Sequence, residues 1–124
     1  MSAIGNYRAP TALSEAGTPS YSGFYSVHEA IIADGIEYVS AYSDGLRIVD
    51  LADPAEPEEI GSLLPSPALD RHGYWTALDG SRSFPLVWGV EVQDGLIFLS
   101  DVNSGLWIVR LMQTEPAADP ANAL

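Results

Sequence analysis

Residues 27–51 read VHEAIIADGIEYVSAYSDGLRIVDL, and residues 87–111 read VWGVEVQDGLIFLSDVNSGLWIVRL. The two stretches align without a gap at an offset of sixty positions. Val27, Asp34, Gly35, Ser40, Gly45, Leu46, Ile48, Val49 and Leu51 each meet an identical residue in the second copy. Other pairs keep their type, such as Ile36 with Leu96 and Tyr38 with Phe98. Nine identities in twenty-five positions make this an internal repeat. A repeat of this length is a unit that buries its apolar face by stacking on a neighbour like itself.

Each copy reads as three β-strands. In the first, Val27–Ala33 and Ile36–Ala41 flank Asp34-Gly35, and both residues of a type I′ hairpin turn need positive φ, which Asp and Gly tolerate. A second turn at YSDG (42–45) leads into a third strand, Leu46–Leu51. The second copy repeats the plan as Val87–Gln93, Asp94-Gly95, Leu96–Asp101, VNSG (102–105) and Leu106–Leu111. The third strand carries apolar residues in both phases, which predicts that it is covered on both faces. After the first copy, the prolines of ADPAEP (52–57) mark a turn, and Pro57–Pro65 supplies a fourth, outer strand with proline at its margins.

The chain therefore divides into an irregular N-terminal segment (1–26), a first strand unit (27–65), an insertion (66–86), a second unit (87–111) and an acidic tail (112–124). The fold class is all-β, with antiparallel units stacked in the manner of β-propeller blades.

At its third strand the chain resembles the LVIVD-repeat family. The match is Leu46-Arg47-Ile48-Val49-Asp50 followed by LADPAEP, which is similar to that family's D-P-x-x-P turn. The second match, Leu106-Trp107-Ile108-Val109-Arg110, lacks the closing Asp and the turn after it. The resemblance spans 26–111 and implies a β-propeller. It also implies a secreted or cell-surface setting, although no signal peptide is legible in MSAIGNYRAP. Two blades leave open faces, so the expectation is a segment of a larger propeller or one closed by association between chains.

Composition narrows the partners. Five arginines and no lysines face seventeen carboxylates, for a formal charge of −12, which disfavours phosphate backbones and so nucleic acid. The chain has no cysteine, so disulfides and thiol chemistry are excluded. No apolar run approaches the roughly 18 residues of a transmembrane helix.

In a blade, the loop entering the first strand and the loop joining the second to the third lie at one end. That rule gathers His28, Tyr42, Asp44, Trp88, Asp101, Asn103 and Ser104 on one rim, and the insertion adds His72, Tyr74 and Trp75. All of these except Ser104 form the candidate ligand- or partner-binding set, for a protein or carbohydrate partner, since loops on a rigid scaffold carry function and aromatics offer large contact area with a polar handle. Trp107, inside a strand, reads instead as packing between units. Asp101, Asn103 and Gly105 have the alternation of a calcium loop, but Gly105 sits where a third oxygen ligand belongs. An Asx turn that places Gly105 in the left-handed region is the stronger reading. No catalytic motif is present. The expectation is a non-catalytic binding or scaffold module, against a metal-dependent enzyme or sensor built on His28, His72 and Asp44 or Asp101.

Overall fold

The computed structural model describes residues 1–9, 24–65 and 84–112. Most of the insertion, with His72, Tyr74 and Trp75, lies outside the described residues, as do residues 10–23 and the tail from 113 onward.

Among the described residues, seven strands form where the pattern places them: β1 (Glu29–Ala33), β2 (Ile36–Ser40), β3 (Leu46–Asp50), β4 (Glu58–Leu63), β5 (Val87–Gln93), β6 (Leu96–Asp101) and β7 (Gly105–Val109). They make two antiparallel sheets, one ordered β1-β2-β3-β4 and the other β5-β6-β7, with no helix among the described residues. Among the described residues, no helix is long and apolar enough to cross a membrane. Both Asp-Gly turns have the expected hairpin form. Asp34 and Gly35 take φ of 52° and 77°, Asp94 and Gly95 take 51° and 73°, and the flanking pairs are Ala33 with Ile36 and Gln93 with Leu96. The turn after β3 is held by Asp side chains. Asp50 Oδ1 accepts from the Ala52 amide at 2.7 Å and Asp53 Oδ1 from the Ala55 amide at 2.9 Å, the local bonding that makes Asp a turn residue.

The sheets stack through one apolar core. Cross-strand partners point to the same side of a sheet. The pairs Ile31–Tyr38–Ile48 and Ser40–Leu46 therefore set Ile31, Ile36, Tyr38, Leu46 and Ile48 on one face of the first sheet. That face packs on Val87, Val90, Ile97 and Leu99 of the second, with Trp107, Val109 and Leu111 at its edge. Polar ties cross the same seam. Ser40 Oγ donates to the Trp88 carbonyl at 2.9 Å, and the Val90 amide donates to Glu29 Oε2 at 3.2 Å. Gly61 in β4 admits the Leu111 side chain, whose Cδ1 lies 2.9 Å from where a Cβ would stand.

The third strands diverge. In β3, Leu46, Ile48 and Val49 are all buried, so it is covered on both faces as expected. In β7, Leu106 and Ile108 are 65% and 56% exposed. The same motif is interior in one copy and surface in the other, because the first copy has a sheet against it and the second does not among the described residues.

The other face of the first sheet carries Glu37, Val39, Arg47 and Val49, and Tyr7 reaches it from the N-terminal segment. The Tyr7 hydroxyl donates to Glu59, Ala9 is buried, and Gly5 approaches the Pro54 carbonyl. Burial, then the bond to the Glu59 carboxylate, raise the Tyr7 hydroxyl well above the ordinary phenol range. A raised value in the folded chain gives stability that is complete below the unfolded value of about 10 and is lost as pH climbs through the folded one. The stability difference between wild type and Tyr7→Phe should accordingly hold steady through neutral pH and shrink above about pH 10. Chemical denaturation across that range reads it, and a flat difference would mean that folding leaves the hydroxyl's titration unshifted.

Candidate functional site

The chain entering β1 is pinned to the turn between β2 and β3. The Ser43 amide donates to the Phe24 carbonyl at 2.9 Å, the Phe24 amide to Ser43 Oγ at 3.1 Å, and the His28 amide to the Ser40 carbonyl at 2.8 Å. Ser43 Oγ also donates to the Pro85 carbonyl at 2.8 Å, so one buried hydroxyl ties the approaches to both sheets. Within the turn, the Gly45 amide donates to the Tyr42 carbonyl and the Asp44 amide to the Ala41 carbonyl.

Tyr42 sits at the centre of this end with φ of 43°. A bulky residue in the left-handed region costs of order 1 kcal/mol or more and persists only where its surroundings enforce it. Here the enforcement is a two-way backbone bridge to Val87. Tyr42 donates to the Val87 carbonyl at 3.1 Å and accepts from the Val87 amide at 3.0 Å. On the facing strand, the pairing of β5 with β6 shifts between Val87 and Gly89, leaving Trp88 at a bulge. Bulges re-aim side chains, and Trp88 remains 47% exposed in a strand whose neighbour Val87 is fully buried.

These two backbone irregularities converge on one ring cluster. The His28 ring lies 4.2 Å from Trp88 and 5.1 Å from Tyr42, centroid to centroid, and Tyr42 meets Trp88 edge-on at 5.7 Å. Phe24 extends the cluster, 6.4 Å from Tyr42 and 6.1 Å from Phe84. Beside the rings opens a hollow of about 540 Å³, lined by Phe24, Tyr25, Ser26, Tyr42, Leu86 and Trp88. Its lining is mainly apolar and rich in aromatic residues, the usual make-up of a site that takes an apolar or ring-shaped group.

Asp44, Asp101 and Asn103 lie at the same end in other roles. Asp44 is buried, 3.9 Å from the Arg47 guanidinium, which also donates to Glu59 at 3.2 Å. Asp101 holds its own turn. Its Oδ1 accepts from the Asn103 amide at 3.0 Å, the Ser104 amide at 2.7 Å and the Ser104 hydroxyl at 2.8 Å, while Oδ2 accepts from the Leu86 amide. Asn103 Nδ2 donates to the Phe84 carbonyl at 2.7 Å, and Gly105 completes the turn at φ of 87°. This is the Asx turn that the sequence predicts at Asp101. Trp107 packs at the edge of the core and donates its indole N–H to Ser104 Oγ at 2.8 Å. Among the described residues, no group of three or more His, Asp or Glu side chains is placed to hold a metal ion.

The structure thus brings His28, Tyr42 and Trp88 into one cluster, and His72, Tyr74 and Trp75 lie outside the described residues. Phe24, Tyr25, Phe84 and Leu86 were not among the sequence candidates. A signal for them existed: Phe24 and Phe84 are themselves sixty positions apart, each three residues before its copy's Val27 or Val87. Carrying the repeat three residues further would have placed both phenylalanines at the mouth of the first strand. No family model, curated protein or solved structure matches this chain.

Proposed function

We propose that the chain is a non-catalytic binding or scaffold module of LVIVD-type β-propeller architecture, and that its partner docks at the end where the strand-entry segments meet the turn between β2 and β3. The observation carrying this reading is the half-exposed Trp88, flanked by Tyr42, His28 and Phe24 over an apolar hollow. Propeller architecture is supported by the sixty-residue repeat and by two sheets that follow one strand order and stack with repeat-related strands near one another. The ring cluster suits an apolar or proline side chain of a partner protein, or the C–H face of a sugar. The metal-dependent alternative needs convergent ligands, and a stoichiometric metal in the purified protein would favour it over binding.

The test is chemical-shift titration of the chain with a tetraproline peptide and with cellotetraose. At least one probe should move the Trp88 indole resonance. Trp88→Ala should then weaken that probe about tenfold or more, as expected for an aromatic anchor worth about 2 kcal/mol. Tyr42→Gly, which keeps the positive φ without strain, should weaken it too. Shifts confined to the two Asp-Gly turns, at the opposite end, would overturn the assignment. So would unchanged affinity in both variants.

A further inference from the structure

The repeat identifies a second surface, distinct from the ring cluster. Ile36, Tyr38, Leu46 and Ile48 of the first sheet, with Ile31 beside them, pack on the second sheet. Sixty positions on, Leu96, Phe98, Leu106 and Ile108 occupy the same register, with Phe98 opposite Ile108 in the pairing of β6 with β7, as Tyr38 is opposite Ile48. The second sheet therefore carries a copy of the buried face on its outer side, with Leu106 and Ile108 more than half exposed. An exposed apolar face of this kind signals association.

We propose that this face seats the same face of a second copy of the chain across a two-fold axis. Head-to-tail stacking, the other way to cover it with this chain, would need the free face of the first sheet, and that face is unsuited. Glu37 and Arg47 stand there where the second sheet has Ile97 and Trp107, Arg47 is paired with Glu59, and Tyr7 already lies against Glu59. Like-on-like packing needs nothing from that face and closes on itself, as two-fold interfaces do. Charge fits the same arrangement. On the outer face of the second sheet the apolar residues belong to β6 and β7, while Glu91 projects from β5. An axis running between β6 and β7 sets apolar strand over apolar strand and leaves Glu91 of each copy at the rim. Two chains of formal charge −12 repel each other, so the dimer tightens as salt screens them.

Sedimentation equilibrium of the full chain, at low and high salt and up to about 200 µM, tests this. The expected result is a mass twice 13.3 kDa, reached at lower protein concentration in high salt. The double variant Leu106→Glu/Ile108→Glu, altered only at exposed positions, should sediment as a monomer with an unchanged circular dichroism spectrum. Ile32→Glu, on the opposite face of the first sheet and equally exposed, should leave the dimer intact. A wild-type chain that stays monomeric throughout overturns the proposal, and a partner of another kind then covers the face. Dimers that survive the double variant overturn it as well. Open-ended assemblies, or dissociation by Ile32→Glu, would point to head-to-tail stacking instead.

Discussion

Replacing Asp101 by alanine should cost about 3–5 kcal/mol of folding stability, a large part of the about 5–15 kcal/mol that holds a domain folded. The carboxylate is 3% exposed and accepts from three backbone amides and one hydroxyl. Hydrogen bonds to a charged acceptor contribute about 1.5–3 kcal/mol each when made, and a buried amide left without a partner costs about 1–3 kcal/mol. The Leu86 amide is the exposed weakness, because it lies in the buried approach to β5, where water does not easily replace the lost oxygen. Asp101→Asn separates charge from shape. Its carbonyl oxygen can keep the three bonds inside the turn, but its NH₂ would then face the Leu86 amide, donor to donor. It should fall between wild type and alanine. Urea denaturation measures all three, and an alanine variant within about 1 kcal/mol of wild type would show that water or a shifted backbone replaces the carboxylate. The ring cluster would feel the loss as well, since Asp101 anchors Leu86, a wall of the hollow.

Much of this architecture could be read from the chain. The Asp-Gly turns have a local cause, so all seven strands, both hairpins and the Asx turn at Asp101 follow from residues within a few positions of one another. The clustering of His28, Tyr42 and Trp88 followed from topology alone, because alternating strands return the chain to the same end. What the sequence could not disclose depends on long-range partners. Trp107 packs between the units as its place in a strand predicts, but the exposure of its neighbour Ile108 depends on which face of the second sheet finds a partner. Tyr42 gives no sign of its positive φ, since the bridge enforcing it is to Val87, forty-five positions away. Tyr7 on Glu59 is a single polar contact across fifty-two positions and has no periodicity to reveal it. Phe24 and Phe84 were within reach of the repeat, but the aligned segment began three residues too late to include them.

The two glycines that close the strand-two-to-three turns should respond very differently to substitution, although the repeat makes them equivalent. Gly45 and Gly105 take φ of 79° and 87°, and an alanine in that region costs about 1–2 kcal/mol. For Gly105 the cost ends there, because a Cβ would meet nothing within 4 Å. At Gly45 a Cβ would stand 2.2 Å from the Leu63 carbonyl oxygen and 3.2 Å from the Leu64 Cα. Those atoms are backbone, and no rotamer relieves the overlap. Either β4 moves away from β3 at the Leu46–Leu63 pair, or the turn distorts and pulls Tyr42 from its bridge to Val87. Gly45→Ala should therefore lose about 3 kcal/mol or more against about 1–2 for Gly105→Ala. Hydrogen exchange locates the damage: the Gly45 variant should lose protection along β3 and β4, with the second sheet less affected. Equal losses in the two variants would mean that β4 yields freely, leaving it a loosely held outer strand. The asymmetry has a structural origin. β3 has a fourth strand beside it that crowds the glycine just before its first residue, whereas β7 has none among the described residues. The outer edge of the second sheet thus lacks the neighbour that makes the first glycine irreplaceable.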